Sequence, residues 1–124
     1  MPSPLDIVVI DDDELVCETI VSFLEIAGHT VRSANDGDKG IDLIKENSPN
    51  LVITDIVMPT KEGMETIIDI KKYSPETKII AISGQGWSSG VSYLEMAERL
   101  GAHATISKPF SRQELMDKVE EVTL

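Results

Sequence analysis

Short stretches of this chain carry side chains that could together do phosphoryl chemistry: Asp11-Asp12-Asp13, Asp55, Ser83-Gly84 and Lys108-Pro109. Carboxylates held ~4 Å apart repel by roughly 4 kcal/mol per pair at an effective dielectric near 20, so at least one pKa should rise. A hard divalent cation removes that repulsion. Mg²⁺ fits, because it takes carboxylate oxygens, keeps several waters and leaves room for a phosphate oxygen. A lysine supplies a point charge for a phosphoryl oxygen, and a serine hydroxyl and the Gly84 N–H can donate to the others. The remaining carboxylate is then available as a nucleophile that forms an acyl phosphate.

Taken singly, each stretch has a plainer reading. The aspartate triplet is a solvated turn that closes on a helix N-cap, with Asp13 as the cap. Asp55 is a strand-to-loop aspartate, Ser83-Gly84 a common turn, and Lys108-Pro109-Phe110 a loop with an apolar anchor. Position joins them, since each falls at the carboxyl end of a predicted strand.

Apolar runs at residues 5–10, 30–34, 51–54, 78–82 and 104–106 predict those strands. The first, third and fourth are continuous and β-branched, as in strands buried on both faces. Helical stripes lie between and after them. Val16, Ile20, Phe23, Leu24 and Ala27 form the first, stopped by Gly28. Gly40, Ile41 and Ile44 form the second, and Met64, Ile67 and Ile68 the third, ended by Ser74-Pro75. Tyr93, Met96, Ala97 and Leu100 form the fourth, stopped by Gly101, and Leu115, Val119 and Val122 the fifth. Ser111 and Glu114 give that last helix a capping box. Strict β-α alternation predicts an α/β fold: a five-stranded parallel sheet of flavodoxin-like order 2-1-3-4-5, doubly wound with helices on both faces. Its functional crevice lies beyond the carboxyl ends of the strands, where the acids, the serine and the lysine fall.

The chain has 124 residues, 41% of them hydrophobic, enough for a real core in one domain over 1–124. A net charge of −11 argues against direct nucleic-acid binding, which needs a basic face. No apolar run approaches the ~20 residues of a membrane span, and no signal-peptide pattern opens the chain. A cytoplasmic location follows as the default, and the one cysteine, Cys17, suits a reducing compartment. Cys17 reads as lying off the main stripe of the first helix, and His29 and His103 as surface or satisfied residues at strand starts.

With these motifs in place, the sequence resembles the response-regulator receiver family. The matching residues are IVVIDDDE at 7–14, LVITDIVMPTKEG at 51–63, IIAISG at 79–84 and GAHATISKPF at 101–110. The resemblance covers essentially the whole chain and implies a stand-alone receiver. It implies that Asp55 is the phospho-acceptor, Asp12 the direct acidic metal ligand and Asp11 the second acid. It further implies a backbone-carbonyl metal ligand at Val57, a switch hydroxyl at Ser83, a phosphate-binding lysine at Lys108, a cis Lys108–Pro109 peptide and a loop glycine at Gly63. The implied cofactor is Mg²⁺. The implied partners are a histidine kinase or histidine phosphotransfer protein and a downstream protein target, reached through the fourth helix, fifth strand and fifth helix. Such a chain is no enzyme beyond catalysing its own aspartyl phosphorylation and dephosphorylation.

Some positions depart from the family pattern. Thr105 stands where an aromatic often rotates inward on activation. The stretch from Ser83 to Lys108 is a few positions longer than usual, and the excess lies in a Gly-rich loop, 84–90, that holds Trp87 and reads as permissive. Apolar Val57 and Gln85 occupy the positions that tune self-dephosphorylation, from which a long-lived phosphate is expected. The rival readings are a haloacid-dehalogenase-like Mg²⁺ phosphatase, in which Asp11-x-Asp13 would carry the reaction, a flavodoxin-like electron carrier, and a receiver-like docking module that is never phosphorylated.

Overall fold

β-branched runs favour extended backbone, and when both faces of a strand are covered there is no polar alternation to keep. In the computed structural model, which describes residues 4–56, 62–84, 87–88 and 91–124, the expected runs become strands. The elements are β1 (Asp6–Ile10), α1 (Glu14–Ile26), β2 (Thr30–Ala34), α2 (Gly37–Glu46), β3 (Leu51–Asp55), α3 (Glu62–Tyr73), β4 (Lys78–Ser83), β5 (Trp87–Ser88), β6 (Val91–Ser92), α4 (Tyr93–Leu100), β7 (Ala104–Ser107) and α5 (Arg112–Thr123). The main sheet runs β2-β1-β3-β4-β7, parallel throughout. Counted along the chain, this is the expected order 2-1-3-4-5, with helices around the sheet.

The two-residue period of the strands divides the core in two. Ile7, Val9, Ile53, Ile80 and Ile82 face one side, where α1 and α5 cover them with Ile20, Leu24, Leu115 and Val119. Val8, Ile10, Val52, Ile79 and Ala81 face the other, covered by Ile41, Ile44, Ile67, Ile70 and Ala97 of α2, α3 and α4. No helix among the described residues is long and apolar enough to cross a membrane.

The helix ends follow their local chemistry. Asp13 caps α1 through bonds from the Leu15 and Val16 N–H groups, and Ser111 and Glu114 make the capping box of α5. Gly28 (φ 98°) and Gly101 (φ 120°) close α1 and α4 in the left-handed region. The His29 N–H reaches Leu24 O at 3.1 Å, and the Ala102 N–H reaches Ala97 O at 2.9 Å, as in Schellman closures.

Gly40 serves close approach instead. A Cβ there would lie 2.7 Å from Ile10 Cγ1 on β1. Gly40→Ala gains up to ~1 kcal/mol of helix propensity. Overpacking against β1 costs more, ~1–3 kcal/mol. A net loss of about 1–2 kcal/mol is expected, read as a lower urea midpoint at unchanged m-value.

The structure corrects several details of the sequence reading. Cys17 is buried in the α1 face of the core, because the turn at the start of α1 presses it against β2. The stripe of α3 is phased on Ile67 and Ile70, both fully buried, while Ile68 is 50% exposed. Met96 of α4 is also exposed, and Ala27 is the exposed C-cap of α1 rather than part of its stripe. Within the Gly-rich stretch, Trp87–Ser88 form β5, which pairs antiparallel with β6, Trp87 opposite Ser92 and Ser88 opposite Val91.

Candidate functional site

Strand register assembles the site. Ile10 pairs with Thr54, so the residues that follow them, Asp11 and Asp55, emerge side by side. Asp55 pairs with Ile82 on β4, which sets Ser83 next to it, and Ser83 pairs with Ser107, which delivers Lys108. The Lys108 N–H donates to Ser83 O at 2.8 Å, and the Lys108–Pro109 peptide is cis.

The side chains then converge. Lys108 Nζ lies 2.9 Å from Asp55 Oδ2 and 3.0 Å from Asp11 Oδ2. Asp11, Asp55 and Ser83 are each almost fully buried, and Asp12 is exposed at the mouth. One carboxylate oxygen each from Asp11, Asp12 and Asp55 lies within 4.8 Å of the others. Asp13 stands apart as the helix cap, and its N–H ties down Asp11 Oδ1 at 2.9 Å. Gly84 packs against the Lys108 stem; a Cβ there would lie 3.4 Å from Lys108 Cδ. Val57 and Gln85 lie outside the described residues.

The electrostatics are those of a crowded anionic pocket. Burial raises the Asp11 carboxyl above its ordinary value; the Asp13 N–H and the Lys108 ammonium pull it back, and the Asp55 charge pushes it further up. Burial by itself would lower Lys108, but the hydrogen bonds and charges of Asp55 and Asp11 more than offset this, and its pKa is raised. Asp11 Oδ2 is buried without a well-directed hydrogen bond. Its close neighbour is the Lys108 ammonium at 3.0 Å, and an all-oxygen cluster open on one side at Asp12 suits a hard cation. These residues therefore fit a divalent metal ion.

The histidines lie elsewhere and are satisfied. His29 Nδ1 accepts the Leu5 N–H at 3.0 Å, and His103 Nδ1 accepts the Ile79 N–H at 3.1 Å. Desolvation lowers both imidazole pKa values, with the charges of Lys71 and Lys78 adding to the effect at His103. Thr105 sits half-buried in β7, opposite Ala81.

One feature of the site escaped the sequence reading. An apolar groove of about 510 Å³ runs from Lys108 and Gly84 between α1 and the loop before α5, lined by Leu15, Val16, Phe23, Pro109 and Phe110. The signal was present in Leu15, an apolar residue beside the Val16–Phe23 edge of the α1 stripe that stays 73% exposed.

Known proteins resemble this chain in sequence and in fold. The family model for the response regulator receiver domain matches residues 7–120. The DNA-binding transcriptional regulator NtrC of Azospirillum brasilense is 34% identical over 118 residues, covering 95% of this chain and 24% of that protein. The chemotaxis protein CheY of Halobacterium salinarum is 29% identical over 116 residues, covering 94% of each chain. Against the crystal structure of the receiver domain of NtrX from Brucella abortus, the TM-score is 0.86 at 31% identity, covering 95% of this chain and 98% of the other. The chain thus spans about a quarter of NtrC and nearly all of CheY. By its sequence, its strand order and the residues gathered at the strand ends, this chain belongs to the response regulator receiver domain family.

Proposed function

We propose that this receiver takes a phosphoryl group from a phosphohistidine onto Asp55, with Mg²⁺ bound, and thereby switches the binding of a protein partner. The observation that carries the reading is the Lys108 ammonium bridging Asp55 and Asp11, with Asp12 completing a cluster of acidic oxygens. An Asp55 oxygen attacks phosphorus in line; the P–N bond breaks, and the imidazole nitrogen keeps the electron pair and takes up a proton. Lys108 then swings its charge from the carboxylate to a phosphoryl oxygen, and Ser83, buried on the adjacent strand, donates its hydroxyl to another. Asp11, Asp12, Asp55 and the Val57 carbonyl would hold Mg²⁺, which supplies neutralisation of the charge on the transferring group. Withdrawing Lys108 and Ser83 toward the phosphate biases the β4–α4 connection between two arrangements, which the α4–β7–α5 face would present to the output partner. The chain catalyses only this self-modification and its reversal.

The histidine kinase or histidine phosphotransfer protein needs a surface beside Asp55. The groove on α1 offers it, since an apolar helix face from the donor fits between Leu15, Phe23 and Phe110. Leu15→Ala is expected to slow transfer from a phosphohistidine donor about tenfold, the loss typical of a truncated anchor. Labelling by acetyl phosphate, which needs no docking surface, should stay unchanged.

The test of the reading itself uses the unaltered chain. Incubation with acetyl phosphate and Mg²⁺ should give a hydroxylamine-sensitive label, and peptide mapping should put it on the segment ending β3. A label on β1 instead would favour the phosphatase alternative, in which the aspartate after the first strand is the nucleophile. No label under any donor would leave the docking-module reading.

A further inference from the structure

Both edges of the main sheet are fastened at their amino ends in the same way. The order β2-β1-β3-β4-β7 makes β2 and β7 the edge strands. A histidine immediately precedes each of them, His29 before Thr30 and His103 before Ala104. Each imidazole bonds to the inner neighbour one residue before the edge strand begins. His29 Nδ1 accepts the N–H of Leu5, at the entry to β1, at 3.0 Å, and His103 Nδ1 accepts the N–H of Ile79 in β4 at 3.1 Å. The same two residues are gripped at their carbonyls. The Thr30 N–H donates to Leu5 O at 2.9 Å, and the His103 N–H donates to Ile79 O at 2.8 Å. Each edge is thus clasped to its neighbour by one backbone bond and one imidazole bond. Between the clasps, the Asn50 N–H donates to Asp6 O at 2.8 Å and the Lys78 N–H to Asn50 O at 3.0 Å. A row of hydrogen bonds therefore crosses the amino end of the sheet from His29 to His103.

A backbone N–H can only donate, so the Nδ1 that receives it must carry a lone pair. Protonation at Nδ1 replaces that lone pair with an N–H facing another N–H. The bond is lost, and the backbone group is left without a partner. Histidine is the side chain whose ordinary pKa places such a change roughly between pH 5 and 8. The surroundings oppose protonation at both rings. His29 is buried, and desolvation lowers its pKa; no charged side chain contributes, including Asp6 beside Leu5 and Glu25 in the last turn of α1. His103 reaches solvent. Desolvation lowers it too, with the positive charges of Lys71 at the end of α3 and Lys78 at the start of β4 acting in the same direction. Glu98 and Arg99, in the last turn of α4, do not contribute.

We propose that His29 and His103 are a pair of acid-released clasps: protonation at Nδ1 frees the Leu5 and Ile79 amides and lets β2 and β7 part from the sheet at their amino ends. The sign of the effect is fixed. Both folded pKa values lie below the ordinary histidine value of 6.5. The contribution of the clasps to stability is therefore complete above that value and is lost as pH falls through it toward the folded values. Asp11 works in the opposite direction, because its raised pKa adds stability as pH falls. The histidine effect is accordingly read as a difference between proteins that share Asp11. Asp11, Asp55 and Ser83 stand at the carboxyl ends of their strands, away from both clasps, so release of the amino ends leaves the phosphoryl site in place.

The experiment is an NMR titration of the unaltered chain from about pH 7.5 to about pH 5. Imidazole nitrogen shifts should show both rings protonated at Nε2 and unprotonated at Nδ1 near neutral pH. As the rings titrate, exchange protection of the Leu5 and Ile79 amides, corrected for the intrinsic pH dependence of exchange, should fall about tenfold, the equilibrium worth of an ordinary hydrogen bond. In H29N/H103N an amide oxygen stands in for Nδ1 as an acceptor that takes up no proton. The difference in urea midpoint between this variant and the parent should therefore grow in the variant's favour as pH falls. Both proteins should take the Asp55 label alike at neutral pH. A proton on Nδ1 near neutral pH, amide protection that ignores the titration, or a midpoint difference that stays constant across the range overturns the proposal. Should the double variant fail to fold, the tautomer and amide-protection measurements on the unaltered chain decide it.

Discussion

Asp55→Asn should take up no acid-labile phosphoryl label from acetyl phosphate or from a phosphohistidine donor, at any Mg²⁺ concentration. The carboxamide keeps the shape of the side chain but offers no anionic oxygen to attack phosphorus, and neither Asp11 nor Asp12 can substitute. Asp11 is held by the Asp13 N–H and by Lys108, and Asp12 is exposed at the mouth. The variant should remain folded, because Lys108 keeps its second partner, Asp11, at 3.0 Å. It should also titrate differently. Asp55 is one of the charges that raise the Asp11 pKa, so Asp11 should ionise at lower pH in Asp55→Asn. Intact-mass spectrometry reads the first effect and carboxyl-selective NMR the second. A label that persists on the variant would move the acceptor elsewhere.

Lys108→Met carries the largest expected loss of stability. It leaves Asp11 and Asp55 buried together without their cation, and removing one partner of a buried ion pair costs about 3–5 kcal/mol. The 18% exposure of the lysine puts the expected value at the low end, about 3 kcal/mol. The pH dependence has a definite sign. Asp11 already has a folded pKa above its unfolded value of 3.8, and loss of the ammonium raises it further. The folded state then binds protons more strongly than the unfolded one, so stability increases as pH falls through the folded pKa. The deficit of Lys108→Met is therefore greatest near neutral pH and shrinks toward pH 4. In the unaltered chain the raised Lys108 pKa works in the other range. Its contribution is complete below the unfolded lysine value and disappears only as pH rises through the folded one.

Mg²⁺ separates the structural from the chemical consequence of that substitution. A ligand bound only by the folded state stabilises it by about 2.7 kcal/mol at a hundredfold excess over Kd. Without the competing ammonium the acidic cluster should bind the ion more tightly, so millimolar Mg²⁺ should restore much of the lost Tm. Phosphoryl transfer should stay depressed, because the charge that meets the phosphoryl oxygen is gone. Denaturation with and without Mg²⁺ at two pH values tests all of this. A variant as stable as the parent at neutral pH without metal would mean that the Lys108 bridge contributes little to the fold.

Much of this protein is written in local pattern. Continuous β-branched runs at 51–54 and 78–82 announce strands covered on both sides, because only a strand with no wet face can dispense with polar alternation. Asp13, Ser111 and Glu114 mark helix starts, and Gly28 and Gly101 mark helix stops, through bonds made within a few residues. Strict alternation of strands and helices then leaves few topologies, and right-handed parallel crossovers put Asp11, Asp55, Ser83 and Lys108 at one rim.

What the pattern could not contain is which neighbour covers which side chain. Cys17 looked peripheral to the α1 stripe, yet β2 buries it. Ile68 and Ile70 are equally apolar, and only the packing of α3 against α2 and the sheet decides that Ile70 is inside. The Lys108 bridge to both aspartates, the apolar groove beside Leu15 and the contact of Lys45 with the Tyr73 ring each join residues far apart in the chain. Sequence periodicity reports how strongly a residue avoids water. Distances between groups on different elements are set by strand register and helix packing, and those exist only once the chain has folded.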